Sequence, residues 1–199
     1  LHLHSDVSAD GYFAPATVAD KAAAAGVRYA ALTDHQRLDG LEEFNAVFAR
    51  HGGVAIPGVE IHARHDDREI HLLAYGFDPA HPGLAETVRG LPPAAEAIRV
   101  VHAAGGIVVL AHPFVLSRDP EVLAGAVAAL KTSGLDGLEA HSRQGHFELD
   151  PLLGRPHQVD PDLLARLAGE RYPDFGSAEP GDEREGYDQQ RGQTSHGKT

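Results

Sequence analysis

Short apolar runs alternate along the chain with stretches whose apolar residues recur at helical spacing. Leu1-His2-Leu3-His4 opens as an alternating segment, which predicts a strand carrying both imidazoles on one side. Asp10-Gly11 reads as the turn that leaves it. A helix is predicted from Ala14-Pro15 to Ala25, with proline in its first turn and Gly26 as its stop. Val27 to Thr33 is a short apolar strand that ends in Thr33-Asp34-His35. Gly40 to Arg50 is a second helix, with Leu41, Phe44, Val47 and Phe48 on one face. Val54–Ile61 and Glu69–Tyr75 are strands on either side of a charged turn, His65-Asp66-Asp67-Arg68, and form either a hairpin or two neighbours in a barrel wall. His81-Pro82-Gly83 begins a loop and a weak helix; Pro92-Pro93 starts a better one, with Ile98, Val100 and Val101 facing inward. Ile107 to Ala111 is the clearest buried strand, and His112-Pro113 follows it. Pro120 to Lys131 predicts an apolar-faced helix, and Gly137 to His141 a last short strand.

The pattern changes after about Ser142. Asp160 to Gly169 predicts one more helix, with Leu163, Leu164 and Leu167 together on a face. From Pro173 to Thr199 the chain is mostly Gly, Asp, Glu, Gln and Arg, too poor in apolar side chains to offset its ordering entropy. The expected organisation is one domain over residues 1–172 and a disordered tail over 173–199. Strand–helix alternation points to an α/β barrel or an open α/β sheet. The polar residues favour the barrel: His2, His4, Asp34, His35, Glu60 and His112 all fall at or near expected strand C-terminal ends. That is the end at which barrel active sites are built.

Composition sharpens this picture. The chain has 199 residues, suited to one domain, and a net charge of −12, so broad electrostatic attraction to nucleic acid is not expected. A metal cluster would supply local positive charge within such an acidic chain. Cysteine is absent, which excludes disulfides and thiolate ligands, whereas histidine occurs 14 times. That balance favours metals held by nitrogen and oxygen, such as zinc, manganese or iron. No apolar run reaches membrane-spanning length, and a cytoplasmic compartment is expected. Methionine is absent and the chain starts on Leu1 inside an apparent strand, which predicts that the true N-terminus lies upstream.

Five blocks in order resemble the PHP family, the polymerase and histidinol phosphatase domain. They are His2-Leu3-His4 with Asp10-Gly11, Leu32-Thr33-Asp34-His35, Ile56-Pro57-Gly58-Val59-Glu60-Ile61, Glu69-Ile70-His71-Leu72-Leu73-Ala74-Tyr75, and Val109-Leu110-Ala111-His112-Pro113. The resemblance covers roughly residues 1–141. It implies a distorted (β/α)7 TIM-like barrel, two or three divalent metal ions and phosphoester hydrolysis on a small phosphorylated substrate. It also implies the ligand sets: His2 and His4 with Glu60 on one ion, Glu60 with His71 and His112 on a second, Asp10 and His35 on a third. Glu60 is the implied catalytic bridge, and Asp34 orients a neighbouring ligand. Glu139 and His141 fall at a late strand end and line the pocket, pack in the core or are simply solvated.

Three departures from the family pattern qualify these expectations. The turn from His2 to Asp10 is one residue longer than the commonest spacing, which leaves Asp6 as the other candidate. The helical insert that many nucleotide-directed relatives carry before Ala111-His112-Pro113 is absent, and extended nucleic-acid binding is not supported. The closing Gly-Ser-Asp-x-His block is missing; Ser195-His196-Gly197 offers a histidine without the aspartate. The alternatives to a phosphoesterase are therefore a degenerate metal-binding domain with a structural or regulatory role, and a metal-dependent hydrolase of a non-phosphate bond.

Overall fold

Six helices and five strands lie along residues 1–139, the part of the chain that this computed structural model describes. In order they are α1 (Pro15–Ala24), β1 (Tyr29–Leu32), α2 (Leu41–Arg50), β2 (Val54–His65), β3 (Arg68–Tyr75), α3 (Pro82–Thr87), α4 (Ala94–Ala103), β4 (Ile107–Leu110), α5 (Pro113–Leu116), α6 (Pro120–Thr132) and β5 (Gly137–Leu138). The strands form one sheet in sequence order. β1 and β2 are parallel, as are β4 and β5, whereas β3 runs antiparallel to both of its neighbours.

The hairpin settles the alternative left open by the sequence. Only Asp66 and Asp67 separate β2 from β3, and so short a link joins antiparallel strands alone. Asp66 adopts φ +52°, a left-handed conformation that aspartate tolerates better than most residues. The consequence corrects the sequence reading. Glu60 lies within the long strand β2, not at the end of a short one. The expected first strand is also absent: residues 1–4 belong to no strand, and Leu3 is hydrogen-bonded to Thr33, just beyond β1. The sheet has five strands among the described residues, a mixed α/β arrangement. The helix expected over 160–169, the domain limit at 172 and the tail all lie outside the described residues.

Period-two alternation gives the hairpin two different faces. Val59, Ile61 and Ala63 of β2 and Ile70, Leu72 and Ala74 of β3 pack with Ala97, Ile98 and Val101 of α4 in the main core. The residues between them, Glu60 and His62 on β2 and Glu69 and His71 on β3, therefore share the opposite face. Ala31, Ile56, Leu73, Tyr75 and Ala111 form a smaller apolar cluster of their own. On the far side of β1, α1 and α2 bury Val18, Ala19, Phe44, Val47 and Phe48. Gly58 lets β1 and β2 approach closely before Glu60, since a Cβ there would sit 2.7 Å from the Leu32 carbonyl oxygen. The expected apolar face of α6 buries only Leu130; the helix is rich in alanine and offers little area elsewhere.

Candidate metal centre

Glu60 is fully buried, and its carboxylate is the point on which the histidines converge. Oε1 lies 2.8 Å from His71 Nδ1 and 2.9 Å from His112 Nε2. Oε2 lies 2.8 Å from His2 Nε2, 3.2 Å from His4 Nε2 and 3.7 Å from His35 Nε2. These histidines reach this point by several routes. His2 and His4 come from the N-terminal segment that precedes α1. His35 follows β1 and forms an isolated parallel bridge with Glu60. His71 comes across the hairpin, and His112 caps α5 with φ +27°. That left-handed geometry is strained for a histidine, and the backbone N–H of His112 is tied to Glu139 Oε2 at 2.8 Å.

Four groups of donors lie close enough to share an ion: His2, His4 and Glu60; Glu60, His71 and His112; His4, Asp10 and His35; and His35, His62 and His71. The proton count shows that these residues fit a cation. His2 presents Nδ1 to Glu139 Oε1 at 2.9 Å and Nε2 to Glu60 Oε2 at 2.8 Å. A neutral imidazole carries one N–H, so one contact would press a lone pair against a carboxylate. A second proton, or a metal ion in its place, removes the conflict. His71 Nδ1 and His112 Nε2 lie 3.1 Å apart while both face Glu60 Oε1, so the three contacts cannot each have one donor and one acceptor. Imidazole and carboxylate donors together suit zinc, manganese or iron.

The electrostatics follow from the same crowding. Burial alone would push the Glu60 carboxyl up, but hydrogen bonds from His112, His2, His4 and His71 hold it far below the usual carboxylate range. Burial also works against protonated His2, yet the Glu139 and Glu60 carboxylates outweigh it and lift its pKa to about 9. His71 is raised in the same way: burial opposes the shift and Glu60 drives it. His35 is lowered, chiefly by burial, against the pull of Glu60 and Asp10.

The remaining residues named from the sequence divide into two groups. Asp10 joins the centre, with Oδ2 3.3 Å from His35 Nε2 and Oδ1 3.5 Å from His4 Nδ1. Burial opposes its ionisation, but a bond from the Ser8 hydroxyl and the nearby imidazoles keep its carboxyl below the usual range. Asp6 is exposed and belongs to none of the four groups. Asp34 is buried and belongs to none of the four groups. It accepts hydrogen bonds from the Ser5 N–H and hydroxyl, each at 2.6 Å, and from the Ser8 hydroxyl at 3.0 Å. The Ser8 hydroxyl shares its one hydrogen with Asp10 Oδ1, 2.9 Å away, so Asp34 and Ser8 together brace the loop that carries Asp10. Asp34→Ala is expected to strand these donors and to destabilise the fold by about 3 kcal/mol in denaturant unfolding. A loss below about 1 kcal/mol would show that the loop stands without the brace.

Sequence reasoning passed over His62 and Glu69. His62 lies two residues after Glu60 and pairs directly with His71 across the hairpin. The period-two signal was present, but it becomes readable only once the hairpin register is known. Glu139 was seen, with two readings left open; its bonds to His2 and to the His112 backbone place it at the pocket. His141 lies outside the described residues.

Comparison with known proteins supplies the context for this geometry. Over 91 residues the chain is 40% identical to a 3',5'-nucleoside bisphosphate phosphatase of Chromobacterium violaceum, covering 46% of this chain and 32% of the relative. Over 82 residues it is 38% identical to a 5'-3' exoribonuclease of Haemophilus influenzae, covering 41% of this chain and 30% of the relative. The matched region thus spans about a third of these curated relatives. Among solved structures, an amidohydrolase from Chromobacterium violaceum with bound sulfate superposes with a TM-score of 0.64 at 23% identity, covering 72% of this chain and 78% of its own. A protein from Bifidobacterium adolescentis, assigned as a metal-dependent phosphoesterase, gives a TM-score of 0.65 at 21% identity, covering 83% and 80%. At these identities the superpositions speak to the fold. No helix among the described residues is long and apolar enough to cross a membrane. The PHP domain model matches residues 1–105, more than half of the sequence, and the chain belongs to the PHP domain family.

Proposed function

We propose that the chain carries the metal centre of a metal-dependent phosphoesterase that hydrolyses a small phosphorylated substrate, a phosphomonoester or a nucleotide. The observation behind this reading is Glu60, a fully buried carboxylate facing five imidazoles. In this reading His2, His4 and Glu60 hold one divalent ion, Glu60, His71 and His112 a second, and Asp10 with His35 a third. Zinc, manganese or iron held there would supply Lewis acidity, an activated water and the positive charge that an acidic chain needs to receive a phosphate. Glu60, common to two of the donor sets, would supply negative charge to both cations, Glu139 would fix the His2 ring, and Asp34 would hold the loop of Asp10. The five-stranded sheet is then one wall of the distorted seven-stranded barrel that the family resemblance implies, with the hairpin's histidine-bearing face turned inward.

The substrate class rests on two supports. Both curated relatives are named for phosphoester cleavage, one on nucleoside bisphosphates and one on RNA. Beside His71 and His112 opens a cavity of about 210 Å³ walled by Ile70, Leu110, Ala111, Val115 and Leu116. Its lining contains no lysine or arginine, which suits the less polar part of a small substrate better than a run of backbone phosphates.

Elemental analysis together with assays on p-nitrophenyl phosphate and a nucleoside 3',5'-bisphosphate tests the proposal. Two or three bound divalent ions are expected, with hydrolysis lost to a chelator and restored by the ion. The other reading is a metal-binding domain with a structural or regulatory role and no turnover. Metal without hydrolysis of either ester would select that reading, and absence of metal would sink both.

A further inference from the structure

On the hairpin's site-facing surface, two side chains outside the proposed ligand sets form a chain that ends on His35. His35 points Nε2 toward Asp10 Oδ2, at 3.3 Å, and Glu60 Oε2, at 3.7 Å. Its other nitrogen, Nδ1, lies 2.9 Å from His62 Nε2. His62 Nδ1 in turn lies 3.0 Å from Glu69 Oε1. The same Glu69 oxygen is 3.6 Å from His71 Nε2, the nitrogen of His71 that faces away from Glu60. The His62 and His71 rings stack with centroids 4.1 Å apart and planes 14° from parallel.

With both rings neutral, one assignment of N–H groups satisfies the links from Glu69 through His62 to His35, and it leaves on the far side of His35 a lone pair that a cation would engage. Glu69 accepts only, so His62 Nδ1 carries the hydrogen and donates to it. His62 Nε2 is then a lone pair and accepts from His35 Nδ1–H. That leaves the lone pair of His35 on Nε2, aimed at Asp10 and Glu60. The same oxygen of Glu69 favours hydrogen on His71 Nε2, which leaves the His71 Nδ1 lone pair toward Glu60. The backbone holds the arrangement. Gln36, at φ +57°, donates its N–H to the Glu60 carbonyl at 2.9 Å and accepts the His62 N–H on Oε1 at 3.1 Å. The residue after His35 is thereby pinned to the strand that carries His62.

We infer that His62 and Glu69 are positioning residues that fix His35 as the Nδ1–H tautomer, so that Nε2 is presented as a metal ligand beside Asp10. The inference rests on the metal-centre reading above. An outer-shell carboxylate or imidazole that fixes a ligand in this way is worth roughly 10–100-fold in metal affinity. A shared ion at His35, His62 and His71 is the competing use of the cluster. The 2.9 Å N···N separation and the near-parallel stack favour a hydrogen bond over two nitrogens converging on one ion.

The test uses the full chain loaded with zinc. Long-range proton–nitrogen NMR reads the imidazole tautomers directly, and chelator competition reads affinity for each equivalent. Wild-type protein is expected to show hydrogen on Nδ1 of both His35 and His62. His62→Leu should weaken one equivalent by about 10–100-fold and leave the others. His62→Gln keeps an acceptor for His35 Nδ1–H and should restore that equivalent to near wild-type affinity. A His35 ring with hydrogen on Nε2 in the loaded wild type would overturn the inference. So would unchanged affinities in His62→Leu, or an extra equivalent lost in both variants, which would mark a shared ion. Because the tautomer is read in wild-type protein, the result stands even if His62→Leu does not fold. Failure of the wild type to take up any metal would instead remove the metal-centre reading itself.

Discussion

Glu60→Gln is expected to abolish hydrolysis and to weaken metal binding by more than the roughly 10–100-fold typical of an outer-shell loss. The substitution keeps the shape of the side chain and removes its charge. In the native protein that charge is fully buried and faces imidazole nitrogens on both oxygens. A glutamine presents one acceptor and one NH₂ group, so one side of the centre would meet a donor where a lone pair is needed. Two ions would also sit side by side with less compensating charge. The fold should survive, because the strand pairing of Glu60 with Leu73 is made by the backbone. Circular dichroism checks the fold and elemental analysis the metal. Near wild-type turnover with the full metal complement would show that Glu60 does not bridge.

Much of the centre was legible in the sequence because its residue types are restrictive. Five of the residues facing one another, His2, His4, Glu60, His71 and His112, were readable as a set from ordered short blocks. The route by which they meet was not readable. His2 and His4 were assigned to a strand because Leu-His-Leu-His alternates, yet this segment makes few ladder bonds and is held by Thr33 and by Ser5 against Asp34. Alternation reports which side a residue faces, not whether a neighbour pairs with it. The hairpin carried the larger surprise. Once β2 turns back on β3, Glu60, His62, Glu69 and His71 share one face by register alone, and a charged turn does not announce that register. Asp34 illustrates the opposite limit. Its expected role is to orient a neighbouring ligand, but the sequence does not show by what contacts: successive residues point to opposite sides, and its carboxylate ends among serines.

Metal affinity should rise steeply with pH, by about tenfold per unit for each proton displaced, and level off above the point at which His2 loses its proton. The sign comes from the metal-free protein. His2 has its pKa lifted from 6.5 to about 9, with burial opposing the shift and the Glu139 and Glu60 carboxylates driving it. Charged His2 therefore stabilises the metal-free fold fully below pH 6.5, and this contribution disappears as pH rises through about 9. Glu60 and Glu139 work in the other direction. Burial opposes ionisation of both, but their histidine partners hold them below the usual range, so their contribution is present above the unfolded carboxylate pKa and is lost in acid. A metal ion that takes the Nε2 lone pair of His2 must displace a proton at any pH below about 9. From pH 6 to 9 the expected gain is about a thousandfold for one proton, and steeper where His71, also raised, contributes a second. Manganese titrations against a chelator of known pH dependence, with proton release measured in buffers of different ionisation heat, give both quantities. An affinity flat across this range, with no protons released, would mean that the ion does not replace a proton at His2. The first ligand set proposed for the centre would then be wrong.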